Sequence, residues 1–300
     1  FHSSFYVESV SSTPYEDLAP VLSGNISSII SLNTTPATGP WAKNYLLTLD
    51  VPDDAQIGYY EGYITFETSQ GVQAKTHIGI HVVEGKAKIL YAKMHTNWKM
   101  DYYLGQYILV IKDLMKNGIA VNEYATGELT PELLSEHDAL WLFDPVSYDY
   151  PELWEGNADY RITAKPFTDA EIQAIQDYID NGGSMILDFL GLTKTRISEL
   201  GVSILDGNNI TMLNKLIEPF DITIDETPYS FDSPEPAKVV YSHTITEGVG
   251  YIDHYGTYLT VGDNALILTK YNNKGTTAIY ENENGGRVFV ATTNFFLDTS

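Results

Sequence analysis

The chain of 300 residues contains no cysteine. That excludes disulfides, thiolate nucleophiles and cysteine-based metal sites together. Basic residues are scarce: 17 Lys and Arg stand against 40 Asp and Glu, for a net charge of −23. Such a chain is repelled by nucleic-acid phosphates and anionic membrane surfaces, so neither nucleic acid nor membrane insertion is expected. No window approaches 18 uninterrupted apolar residues, so no membrane-spanning helix is expected either. G-x-S-x-G, G-x-G-x-x-G, G-x-x-x-x-G-K-[ST] and H-E-x-x-H are all missing. With them go the simplest signatures of a serine hydrolase, a dinucleotide site, a P-loop and a zinc protease.

What remains is a chain able to fold. At 43% hydrophobic and 19% charged residues it can bury a full core. Its length suggests two domains. The opening "FHSSFYVESV" and the closing "ATTNFFLDTS" read as cut from a longer protein. Three sequons, at Asn25, Asn33 and Asn209, are candidate glycosylation sites. With the acidic, Lys-poor surface they favour an extracellular or cell-surface location.

Two halves differ in period. Residues 1–85 alternate apolar and polar in "WAKNYLLTLDVP", "GYYEGYITFETSQ" and "QAKTHIGIHVVE", separated by turn residues. They predict an all-β antiparallel sandwich. His77 and His81 lie four apart on one strand, hence on one face, and read as partly exposed polar positions rather than metal ligands. Residues 86–300 alternate strands with helices, which predicts an α/β flavodoxin-like domain with a mostly parallel sheet and an antiparallel extension. "TDAEIQAIQDYIDNGG" (168–183) is the clearest helix, capped at Thr168 or Asp169 and stopped by Gly182-Gly183.

In open α/β sheets ligands gather at the carboxyl ends of the strands. The polar residues expected there are His95, Thr96, Asn97, Asp144, Asp188 and Asn294. Asp188, Asp144 and His95 are the candidate catalytic groups. Asp144, Asp149 and Asp188 are the candidate metal ligands, with Ca2+ the cation suited to carboxylates. The alternative for all of them is that strands end in polar residues because loops begin there. The connection 144–167 interleaves Tyr148, Tyr150, Trp154 and Tyr160 with acids. That composition suits glycan stacking or a partner surface, and equally a self-packed loop. The carboxylates of 221–238 lack EF-hand spacing.

Two resemblances emerge from these residues. Trp41, Val51, Pro52, Gly58, Tyr60, Gly62 and Ile64 fit a run shared by fibronectin-III-like accessory domains of large secreted subtilisin-like proteases. "DALWLFDP", "FTDAEIQAIQDYIDNGGSMILDF", "HTITEGVG" and "GGRVFVATTNFF" resemble the class I glutamine amidotransferase-like fold. The nearest branch is the one seen in intraflagellar-transport and gliding-associated proteins. That resemblance places Phe189 where an amidotransferase carries its cysteine. The expected downstream His-x-Glu is absent too, since Thr244 and Tyr255 follow His243 and His254. The resemblances together imply a non-catalytic accessory or interaction region of a secreted protease or surface-layer component. Its partners would be other domains of the parent protein, cell-surface proteins or glycans. Two alternatives stay open: a carboxylate- or metal-dependent hydrolase, and a carbohydrate-binding module.

Overall fold

A computed structural model describes residues 2–8, 18–33, 42–52, 54–69, 71–96, 108–145, 148–149, 161–162, 165–189, 203–204, 210–225, 234–254 and 256–293. The chain divides into two compact units, Phe1–Glu84 and Gly85–Ser300.

The first unit is built of strands β1 (His2–Glu8), β2 (Ala19–Gly24), β3 (Ile30–Asn33), β4 (Ala42–Leu49), β5 (Gly58–Thr68) and β6 (Gly71–Val82). They form two antiparallel three-stranded sheets, ordered β1-β4-β3 and β2-β5-β6. Alternation does the work in β5, where Gly62, Ile64 and Phe66 point inward between more exposed neighbours. Ile64 and Phe66 meet Tyr45 of the other sheet in one core cluster, and the Tyr45 hydroxyl donates to the Leu18 carbonyl at 3.2 Å. Gly62 is required by close approach, because a Cβ there would collide with the Ser23 carbonyl of the paired strand. The expected strand face of His77 is occupied by its contact with Glu61 at 3.3 Å.

The second unit opens with β7 (Ala87–Tyr91), α1 (Ile108–Lys116), β8 (Ile119–Glu123), α2 (Pro131–Ser135) and β9 (Ala139–Phe143). Two-residue strands β10 (Tyr148–Asp149) and β11 (Arg161–Ile162) precede α3 (Asp169–Asp180) and β12 (Ser184–Asp188). Next come β13 (Ser203–Ile204), α4 (Ile210–Ile217), β14 (Ile222–Ile224), β15 (Glu235–Val239) and β16 (Tyr251–His254). The unit closes with β17 (Leu259–Val261), β18 (Ala265–Tyr271), β19 (Lys274–Glu281) and β20 (Arg287–Ala291). Strands β11, β10 and β13 form a small sheet of their own, and the others share one large sheet.

The expectation of a mostly parallel sheet is corrected here. Within the large sheet, among the described residues, four pairings are parallel and six antiparallel. The parallel strands lie in spatial order β8-β7-β9-β12-β20. Beyond β20 the chain returns by hairpins. Asn272 and Asn273 both hold positive φ (49° and 63°) between β18 and β19, which suits the tight two-residue turn of an antiparallel pair.

Both faces of the parallel strands are covered, and local chemistry explains the covering helices. The Thr168 hydroxyl accepts from the Glu171 N–H while the Glu171 carboxylate accepts from the Thr168 N–H, so the capping box starts α3 at Asp169. Gly182, at φ 101°, follows the helix end. Helices α2, α3 and α4 pack on Leu140, Leu142, Met185, Leu187, Val288 and Val290. On the opposite face Val110, Ile111 and Leu114 of α1 meet Ile89, Tyr91, Trp141 and Phe143. Among the described residues no helix is long and apolar enough to cross a membrane.

Candidate functional site

Asp144 and Asp188 end neighbouring parallel strands, and the structure brings them together. The Asp144 N–H donates to the Asp188 carbonyl at 2.7 Å. Asp144 holds φ 39°, a left-handed conformation that costs a non-glycine residue on the order of 1 kcal/mol. Both residues are fully buried. The Asp188 carboxyl stands on the same sheet face as Trp141, whose indole N–H donates to Oδ2 at 2.6 Å. Among the described residues Oδ1 has no hydrogen-bond partner. Burial pushes the Asp188 carboxyl well above the usual range; the indole hydrogen bond opposes this, and the nearby Asp144 charge reinforces it. The neutral acid is therefore favoured. Burial also raises the Tyr91 phenol well above its ordinary value.

His95 does not join this pair. After β7 a short 3-10 turn (Lys93–His95) carries the chain to the opposite face, where His95 stacks on Phe167 with ring centroids 3.9 Å apart. Its Nδ1 meets the Lys165 carbonyl at 2.7 Å and its Nε2 meets Glu171 Oε1 at 3.1 Å. Both ring nitrogens lie within hydrogen-bond distance of oxygen atoms, and Nε2 meets a buried carboxyl. Burial alone would raise Glu171. Hydrogen bonds from His95, Thr168 and Leu129, with the His95 charge, outweigh it and hold the carboxyl at about 2. Proton shuttling from this pair to Asp188 has no geometric support. His95 and Glu171 tie β7, the 165–168 segment and α3 together.

Phe189, at the corner after β12, is fully buried within the core of the α2, α3 and α4 face. Its N–H donates to the Ala291 carbonyl at 3.0 Å.

Between Trp141 and the segment 245–252 lies a cavity of about 430 Å³. Ile89, Val110, Leu114, Ile186, Ile252 and Phe289 supply most of its apolar wall, and Asp188, Thr246, Thr269 and Thr277 are its polar members. The threonines are satisfied within the protein. Thr269 and Thr277 bond each other at 2.8 Å, and the Thr246 hydroxyl donates to the Tyr241 and His243 carbonyls at 3.1 and 3.0 Å.

Tyr150, Trp154, Tyr160, Asn294, Asn97 and Asn209 lie outside the described residues. For Tyr148, Asp149 and Asn33 only the backbone is described, as strand. Asn25 is exposed; its Oδ1 accepts from the Glu61 N–H at 2.8 Å and its amide donates to the Tyr59 carbonyl at 3.4 Å. Of the 221–238 carboxylates, Asp221 accepts from the Asn264 backbone and side chain at 3.1 and 2.6 Å. Among the described residues no three His, Asp or Glu side chains are placed to share a metal ion.

Sequence reasoning missed two residues that organise these sites. Glu171 escaped as a site residue, although its T-x-x-E spacing from Thr168 marks a capping box. Trp141 gave no signal, because its partner Asp188 lies 47 residues away.

No protein-family model matches the chain, and no curated protein matches it. Among solved structures it is similar to the "mmIFT52 N-terminal domain", with a TM-score of 0.51 at 16% identity over 71% of this chain and 89% of that one. At that identity the likeness is one of fold alone. Weaker agreement is found with "Cytoplasmic Protein STM1381 from Salmonella typhimurium LT2" (TM-score 0.40, 15% identity, 80% of this chain and 86% of that). A family 123 glycoside hydrolase from Clostridium perfringens gives 0.25 at 11% identity, over 74% of this chain and 49% of that one. Both values are too low to support any inference about this chain.

Proposed function

We propose that this chain is a non-catalytic accessory region of a larger secreted or cell-surface protein, acting in binding, spacing or assembly. The observation that carries the reading is the commitment of the strand-end side chains to the interior. Phe189 fills the core at the corner where an amidotransferase would carry its nucleophile. His95 is bonded through both ring nitrogens, and burial beside Trp141 favours Asp188 as the neutral acid rather than a carboxylate. A hydrolase would need a carboxylate or imidazole free to meet substrate and water.

Two fold assignments belong to the same proposal. Five parallel strands in the chain order 2-1-3-4-5, covered by helices on both faces, support a flavodoxin-like, degenerate amidotransferase-like second unit. Two antiparallel sheets sharing one core support a fibronectin-III-like first unit. Extracellular location rests on the sequons and the charge. Glycan contact rests on the aromatic composition of 148–160, and calcium on the acids around it.

The test is an assay of the purified chain on nitrophenyl glycosides, esters and a peptide library, with and without Ca2+. No turnover is expected. Hydrolysis that disappears in Asp144→Asn would overturn the reading in favour of the hydrolase. Glycan-array binding lost in Trp154→Ala would support the carbohydrate-binding alternative.

A further inference from the structure

We propose that the cavity beside Trp141 is a binding site for a small, uncharged, mainly hydrocarbon molecule bearing one acceptor oxygen, which Asp188 Oδ1 recognises. This goes beyond the non-catalytic reading and does not depend on it.

The cavity has the size of a ligand site, about 430 Å³ within the usual range of roughly 300–1,000 Å³. Its wall is almost wholly carbon, drawn from β7, α1, β12, β20 and the 245–252 segment. Ile245 and Val249 line it yet stay 45% and 38% exposed, so the cavity opens between them. An apolar pocket with a few placed polar atoms is the ordinary form of a small-molecule site.

The polar atoms decide the ligand. Thr246, Thr269 and Thr277 spend their hydroxyls on partners within the protein. The indole N–H of Trp141 is spent on Asp188 Oδ2. Asp188 Oδ1 alone among the buried polar atoms of this wall is left unmatched among the described residues. Since Oδ2 accepts from the indole, a neutral acid carries its proton on Oδ1, which makes that atom a buried donor in the cavity wall. A buried donor without a partner costs roughly 1–3 kcal/mol, which a carbonyl or ether oxygen entering the cavity would relieve. An anionic head would enter an apolar cavity in a protein of net charge −23, so a neutral molecule is selected.

The test uses octan-2-one and n-octane as probes, with dissociation constants from NMR titration of the whole chain. The ketone is expected to bind about tenfold more tightly than the alkane, the value of one net hydrogen bond. Asp188→Leu should bring the two probes to equal affinity. Asp188→Asn should keep the preference, because its amide offers an oxygen to the indole and an N–H to the ligand. Ile186→Trp, which fills the cavity, should abolish binding of both. The proposal fails if neither probe binds, or if the wild-type protein does not distinguish them. It fails equally if the preference survives Asp188→Leu or binding survives Ile186→Trp. Should Asp188→Leu not fold, the Asn and Trp variants decide alone. No turnover is measured, so failure here leaves the non-catalytic reading standing.

Discussion

Replacing Glu171 by glutamine exchanges one carboxylate oxygen for an NH2 and removes the anchor of the His95 side of the sheet. The carboxylate accepts from His95 at 3.1 Å and the Leu129 N–H at 3.2 Å through Oε1, and from the Thr168 N–H at 2.9 Å through Oε2. Lys165 Nζ stands 3.5 Å from Oε1. A glutamine must turn its NH2 toward one of these donor sets and leave that set unmatched. The distance between an ordinary value of 4.5 and about 2 corresponds to about 3 kcal/mol in favour of the ionised native form. The side chain is 1% exposed, so solvent screens little of it. Because the folded carboxyl is depressed, this stability is present in full above pH 4.5 and is lost as pH falls toward 2. Glu171→Gln should therefore lower the unfolding free energy at pH 7 by about 2–4 kcal/mol. Urea unfolding followed by tryptophan fluorescence reports it, since three of the four tryptophans, Trp98, Trp141 and Trp154, belong to the second unit and only Trp41 to the first. The urea midpoint should fall with an unchanged slope, and the variant should lack the acid-induced loss between pH 4.5 and 2. A cost below about 1 kcal/mol, or an unchanged acid limb, would refute the buried-pair account.

Three further outcomes follow from other elements. Burial holds His254 down to about 4, partly opposed by its hydrogen bond with the Gly256 backbone, so the unfolded chain takes up this proton first. Stability should decline as pH falls from 6.5 to 4, and His254→Phe should flatten that stretch of a denaturation-versus-pH curve. Gly62→Ala should destabilise the first unit by about 2–4 kcal/mol, because the new methyl group meets the Ser23 carbonyl; a melting temperature within 2 °C of wild type would disprove the close approach. Thr168→Ala should cost about 1 kcal/mol in urea titration and Asp169→Ala no more than about 0.5, since the Asp169–Lys215 pair is exposed. The reverse order would assign the cap to Asp169.

The elements that could be read in advance are those whose cause is local. The α3 helix lies in the sequence because its capping box spans four residues and its Gly stop follows at once. Alternation in β5 and the apolar runs of β9 and β12 belong to the same class. Strands β14 to β17 escaped because each has only three to five residues, and β15 holds Pro236. The antiparallel part of the sheet outgrew the expected extension for the same reason.

The sequence by itself determined where carboxylates, an imidazole and an aromatic corner would stand along the strands. It also excluded cysteine chemistry outright. Only the tertiary structure decided that His95 turns to one face of the sheet and Asp188 to the other, where separate partners hold them. It alone assembled the apolar cavity, from residues as distant as Ile89 and Phe289. The division is physical. Capping and alternation act within a few bonds along the chain, and their residues are neighbours in sequence. Burial, the unmatched Asp188 oxygen and the matched Glu171 charge arise only when remote segments close together and exclude water.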